Sequence, residues 1–200
     1  MAAGASVKRG KGCWIAVACA VALAQILFFV GFRLVFRAYR VPTGSMSPAI
    51  APGEYAIARR TSDVAVGDII AFRYPGDERI MLISRIVAAG GDTVQIRDKR
   101  LFINGIELNE PYVVHEDPEI YPDGPALPEP YRSRDHFGPF VVPANHYFTL
   151  GDNRDHAHDG RYWGALPAKN VTGRVVLIYS SRGLRRPPAS SRSAPALPPK

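Results

Sequence analysis

Pro42-Thr43-Gly44-Ser45-Met46-Ser47-Pro48-Ala49-Ile50 follows directly on a long apolar run. The stretch is too rich in Gly, Ser and Pro for a helix or a regular strand. Gly44 permits a backbone shape that a side chain would forbid, and Pro42 and Pro48 stiffen the chain on either side. The expected product is a rigid loop that presents the Ser45 hydroxyl beside backbone N–H groups. A serine nucleophile needs that setting, an exposed Oγ with donors close by for the oxyanion formed on attack. The plainer reading of the same residues is a Pro/Ser linker between an anchor and a domain.

Upstream, Cys13 to Phe32 carries no charge, and Gln25 is its clearly polar side chain. At 1.5 Å per residue such a run spans roughly 30 Å, the thickness of a bilayer's hydrocarbon core. Ala20-Val21-Ala22-Leu23-Ala24 suggests a cleavable signal peptide. However, the apolar run continues through Ile26-Leu27-Phe28-Phe29-Val30, so no polar cleavage region follows. A retained single-pass helix is expected over 12–36, after a basic N-terminus over 1–11. Three basic residues precede the run and three follow within ten residues, so flanking charge leaves its orientation open.

The net charge of +7 looks at first like a signal for nucleic acid. Its distribution says otherwise. Eleven of the 25 basic residues flank the apolar run or lie beyond Arg182, which leaves fourteen against all eighteen acidic residues in 41–181. The domain is therefore about −4, with basic charge at both ends. That pattern suits lipid headgroups, and without a basic stripe no nucleic-acid partner is expected. Both cysteines lie inside the apolar run, so the rest of the chain can form neither a disulfide nor a thiolate metal site.

From residue 41 the pattern is short and β-like. Strands are expected at Tyr55–Ala58, Asp68–Tyr74, Ile80–Val87, Thr93–Ile96, Leu101–Ile103, Phe140–Val142, His146–Leu150 and Gly173–Tyr179, with a hairpin turn at Asn104-Gly105. The Pro-rich residues 115–139 read as a long surface excursion. The basic Pro/Ser-rich tail, 182–200, reads as disordered. One apolar helix followed by many short strands predicts a mostly-β domain over 41–181 behind a transmembrane anchor. Gly151 to Gly164, G-D-N-R-D-H-A-H-D-G-R-Y-W-G, is charge-dense and must form a hydrogen-bonded polar turn.

Together these pieces resemble the bacterial type I signal peptidases. Four blocks match in order: P-T-G-S-M-S-P just after the anchor; G-D-I-I-A-F-R-Y-P from Gly67; S-R-I-V-A-A-G-G-D from Ser84; and the Gly151–Gly164 segment. The resemblance implies a signal-peptidase-like β-sheet domain and a membrane-anchored serine endopeptidase. Such an enzyme removes signal peptides from exported precursors after small residues, at Ala-X-Ala-type sites. It further implies Ser45 as nucleophile, an oxyanion hole from the Ser45 N–H and the Thr43 hydroxyl, and a supporting ion-pair cluster of Arg85, Asp159 and Arg161, with Asp152 also near the site. The implied partners are signal peptides and the lipid bilayer, with no cofactor and no metal. The implied location is the bacterial inner membrane, N-terminus cytoplasmic and domain on the export side.

The pattern breaks at the base. The family uses a neutral lysine immediately before the arginine that here is Arg85, and this chain has Ser84 there. A serine hydroxyl is not a base near neutral pH, and a guanidinium does not deprotonate. The serine that orients the lysine in the family is here Ala157. Two explanations stay open. His156 or His158, which flank that position, supplies the base; or the chain binds signal peptides, or modulates an active signal peptidase, with little or no cleavage of its own.

Overall fold

A computed structural model describes residues 11–122 and 134–188. The chain divides into two units, residues 1–36 and 37–200.

In the first unit, α1 (Lys11–Val35) is one uninterrupted helix. Its stretch Trp14–Val35 is long and apolar enough to cross a membrane. Twenty-two residues at 1.5 Å give roughly 33 Å, enough for a hydrocarbon core. Trp14, Phe28 and Leu34 lie exposed on it, so none of them helps build a protein core.

The second unit is mostly β. Its strands in chain order are β1 (Phe36–Arg40, whose first residue belongs to the helical unit), β2 (Tyr55–Arg59), β3 (Ile69–Tyr74), β4 (Asp77–Ala89), β5 (Thr93–Arg97) and β6 (Arg100–Ile103). There follow β7 (Ile106–Glu107), β8 (Phe137–Val141), β9 (His146–Leu150), β10 (Leu166–Pro167), β11 (Val171–Ser180) and β12 (Gly183–Arg185). One sheet runs β1-β2-β11-β3-β4-β9-β10, with β12 paired to β11, and a second runs β7-β6-β5-β8. The expected mostly-β class with an N-terminal apolar helix is what the structure has.

Strand β4 organises the larger sheet. Its thirteen residues pair antiparallel with β3 (Ile70 opposite Ser84, Ile69 opposite Arg85) and with β9 (Arg85 opposite Leu150). The apolar residues of β3 split between two cores, and Val87 and Ala88 of β4 join a third beneath the smaller sheet. Ile69 and Ala71 pack with Met46 and Ile50 in the first, while Ile70, Phe72 and Ile86 pack with Leu166 in the second. This two-sided burial follows from the near-continuous apolar run in β3. The smaller sheet buries Val94, Ile96, Leu101 and Ile103 against Phe148 and Leu150 of β9.

Turn chemistry sets the hairpins. Asn104 and Gly105 both have positive φ (54° and 82°) between β6 and β7, as an Asn-Gly two-residue loop requires. Asp98 and Lys99 do the same between β5 and β6 (49° and 66°), a turn with no glycine to announce it.

Three expectations need correction. The helix ends at Val35, and residues 36–40 continue as an edge strand. The surface excursion ends early, since β8 starts at Phe137 and Arg134 and Asp135 are buried. Low apolar content suggested exposure, but Arg134 satisfies its charge on Asp135 and Asp117, which makes burial tolerable. Residues 123–133 of that excursion lie outside the described residues. Finally, the tail is ordered beyond Arg182: Gly183–Arg185 pair with Ile178–Ser180, and backbone pairing outweighs a composition that suggested disorder. Residues 189–200 lie outside the described residues.

Candidate active site

The loop that carries Ser45 is closed at its stem and pinned inside. Val41 N–H donates to Glu54 O (2.9 Å), and Gly53 N–H donates to Val41 O (2.8 Å). Within it, Ser47 N–H donates to Gly44 O and Ile50 N–H to Met46 O. The Met46 and Ile50 side chains are fully buried in the core beneath. Half-buried Ser45 is thus held by apolar anchors on its C-terminal side. Its Oγ lies 3.1 Å from Thr43 Oγ1.

The Gly151–Gly164 segment braces the same loop. Asn153 N–H donates to Ser45 O (3.1 Å), a contact the sequence did not single out. Gly151 packs so closely that a Cβ there would lie 2.5 Å from Ser45 O and 2.4 Å from the Ala157 Cβ. Gly151→Ala is therefore expected to displace the loop and to cost about 1–3 kcal/mol, as overpacking does. Chemical denaturation checks it, and a stability equal to that of the natural chain would refute the contact.

A cavity of ≈ 320 Å³ opens at Ser45. Thr43, Ser45, Ser84 and Ala157 line it, together with apolar walls from Phe72, Met81, Ile83 and Trp163. Seven residues singled out from the sequence are thus brought to one cavity, since His156, His158 and Asp159 line it as well.

The charged residues resolve differently from the expectation. Arg85, Asp159 and Arg161 do not form one cluster; there are two buried pairs. Arg85 donates to Asp152 through Nε (2.8 Å) and Nη2 (2.6 Å), a bidentate fork. Its Nη1 donates to Gly67 O (3.0 Å), and its guanidinium lies over the Tyr112 ring at 3.9 Å. Burial pushes the Asp152 carboxyl up, and the Arg85 fork opposes that rise. Separately, Arg161 donates from Nε and Nη2 to Asp159 (2.8 and 2.9 Å) and from Nη1 to Arg134 O (2.7 Å). Asp159 also caps α2 (Gly160–Trp163) by accepting from Arg161 N–H, and its other oxygen accepts from Gly151 N–H. Tyr112 carried no sequence signal at all.

Among the described residues no hydrogen bond joins either candidate histidine to Ser45 Oγ. Exposure alternates along the segment: His156 and His158 face out, whereas Ala157 and Asp159 face in. His156 Nε2 lies 3.1 Å from Glu116 Oε2, and the His158 ring stacks on Tyr162 at 5.1 Å. Both nevertheless line the cavity into which Ser45 opens. Among the described residues the hydrogen-bond partner of Ser45 Oγ is Thr43, not an imidazole. Ser84 Oγ is buried with no hydrogen-bond partner among the described residues. His156, the alternative base expected from the sequence, instead closes a turn through its N–H to Asn153 O (3.3 Å), and its exposed ring meets Glu116.

Comparison with known proteins places the chain in a family. The family described as signal peptidase, peptidase S26, matches residues 14–180. Signal peptidase I of Pseudomonas fluorescens is 31% identical over 182 residues, covering 72% of this chain and 64% of that protein. This chain thus spans less than two thirds of the length of that relative. Signal peptidase I of Bacillus licheniformis is 32% identical over 166 residues, covering 80% of this chain and 85% of the relative. A crystal structure of a signal peptidase I from Enterococcus faecalis is 28% identical, with a TM-score of 0.43, over 56% of this chain and 97% of that one. With a family match over most of its length, and with the order of its boxes intact, this chain belongs to the signal peptidase family, peptidase S26.

Proposed function

We propose that this chain is a membrane-anchored serine endopeptidase that cuts signal peptides from exported precursors after small residues, with Ser45 as nucleophile. The observation that carries the reading is Ser45 Oγ beside Thr43 Oγ1 at the mouth of an apolar-walled cavity. Ser45 Oγ attacks the scissile carbonyl, and the oxyanion is met by the Ser45 N–H and the Thr43 hydroxyl. The proton of the Ser45 hydroxyl ends on the departing amine of the new N-terminus, and water then hydrolyses the acyl ester, returning a proton to Ser45 Oγ and releasing the carboxylate. Bulky walls at Phe72, Met81, Ile83 and Trp163 leave room for small side chains beside the cut. The α1 helix serves as a single-pass anchor, and the domain works on the export side of a bacterial inner membrane.

Ser84, in the place of a basic amine, makes the reaction slow. Loss of a general base costs about 10²–10⁴-fold. A second reading rests on a different observation: Ser84 Oγ, buried without a partner among the described residues, and exposed histidines suit a protein that holds signal peptides without cutting them. Incubation of the purified full chain with a precursor separates the two. Slow cleavage after a small residue, lost in Ser45→Ala, is the expected result. Tight precursor binding without any cut would select the second reading.

A further inference from the structure

We propose that Arg185 is a positioning residue for the nucleophile, and that the C-terminal segment Gly183–Pro188 is a strap fastening the Ser45 loop to the sheet. The proposal rests on the reading of Ser45 as nucleophile. It assigns a role to a residue whose charge, read from the sequence, belonged to a lipid-facing tail.

Strand β12 pairs with the end of β11, and this brings Arg185 opposite Ile178. From there the side chain crosses to the far side of the Ser45 loop. Its Nη1 donates to Ala49 O (2.8 Å), and its Nη2 donates to Glu54 Oε2 (2.5 Å). The same Glu54 oxygen accepts from Ala51 N–H (2.9 Å), and Glu54 O accepts from Val41 N–H at the loop's stem. One guanidinium thus joins the stem of the loop to its descending limb, four residues past Ser45. Ala49 and Ile50 are buried, and Ile50 N–H holds Met46 O, so a shift at Ala49 passes directly to the residue after the nucleophile. Three residues further along the strap, Pro188 O accepts from Arg85 Nη1 (3.4 Å). The segment therefore touches both walls of the site, the loop bearing Ser45 and the strand bearing Ser84.

A planar fork can serve Ala49 O and Glu54 at once, and an ammonium on a flexible stem holds that geometry less well. Arg185 is partly exposed and outside the apolar core, so its replacement is expected to move the nucleophile without unfolding the domain. The peptide-binding walls stay where they are. The loss should therefore appear in kcat, with KM changed by less than about twofold.

The test compares Arg185→Ala, Arg185→Lys and the control Arg186→Ala in the full chain, by precursor cleavage and by hydrogen exchange at the Ser47 and Ile50 amides. The same variants are made in the background Ser84→Lys with Ala157→Ser. Arg185→Ala should lower kcat about tenfold to a hundredfold, as a small misplacement of a reacting group does. Arg185→Lys should recover part of that loss, and Arg186→Ala, on an exposed side chain, should change nothing. An unchanged kcat in Arg185→Ala would overturn the proposal. If no variant cleaves in either background, the nucleophile assignment falls, and hydrogen exchange decides the strap. Exchange at Ser47 and Ile50 at least about tenfold faster than in Arg186→Ala supports it, and equal rates overturn it.

Discussion

Restoring an amine base, through Ser84→Lys together with Ala157→Ser, is expected to raise the rate of precursor cleavage about 10²–10⁴-fold. The geometry prepares for it. Ser84 and Ala157 are almost fully buried, and both line the cavity that Ser45 opens into. A lysine at residue 84 would enter a space of ≈ 320 Å³ walled by Phe72, Met81 and Trp163. Removal from water there disfavours the ammonium and lowers its pKa, which yields the neutral amine that can accept the Ser45 proton. A serine at residue 157 would offer that amine a hydrogen bond, which alanine cannot. Each single change should deliver only part of the gain, because a lysine without its orienter is free to turn away. Steady-state cleavage of a labelled precursor by the two single variants and the double variant measures this. A double variant no faster than the natural chain would mean that these positions are not where a base acts.

Asp152→Ala is expected to destabilise the domain by about 3–5 kcal/mol, the usual cost of stripping one partner from a buried ion pair. That is a large share of the roughly 5–15 kcal/mol that holds a domain together. Arg85 is 1% exposed, and its fork to Asp152 is the charge compensation it finds beside a carbonyl and an aromatic face. Asp152 also stands between Gly151, which packs on Ser45 O, and Asn153, whose N–H holds that same oxygen. Cleavage should fall together with stability. Replacing both partners, Arg85→Met with Asp152→Leu, should recover most of the stability, since the cost lies in the unpaired charge and not in the volume. Urea denaturation reads all three chains. A midpoint in Asp152→Ala close to the natural one would show that Arg85 is satisfied without its carboxylate.

The parts of this molecule that were legible in sequence are those decided by neighbours in the chain. Asn104-Gly105 announces its hairpin because only residues tolerant of positive φ fit there. The Ser45 loop is legible because Pro and Gly act within a few residues of each other. Alternation is clear in β5, where Val94 and Ile96 are buried between Thr93, Gln95 and Arg97. What stayed hidden is set by partners far apart in sequence. Arg85 chooses Asp152, 67 residues away, while Asp159 pairs with Arg161, two residues away. The family resemblance put Arg85, Asp159 and Arg161 in one cluster, because charge and spacing do not say which carboxylate each arginine meets. Arg185 reaches Glu54 across 131 residues, and a Pro- and Arg-rich composition conceals it. The outward turn of His156 depends on a turn closed by its N–H on Asn153 O, and a segment with little apolar content does not record which side chains of that turn meet the core. The turn at Asp98-Lys99 has its positive φ values imposed by the pairing of β5 with β6, not by its own residues.

The most direct test of Ser45 as the nucleophile needs no general base. An activated peptide ester ending in Ala-X-Ala carries a leaving group that departs without a proton, so it should acylate Ser45 even with Ser84 in place. Because deacylation lacks a base as well, the ester should accumulate, and peptide mapping of the full chain by mass spectrometry would locate it. The expected result is a single acyl adduct on the fragment containing Ser45, absent from Ser45→Ala. An adduct formed equally by Ser45→Ala, or ester turnover with Ser45 unmodified, would contradict it.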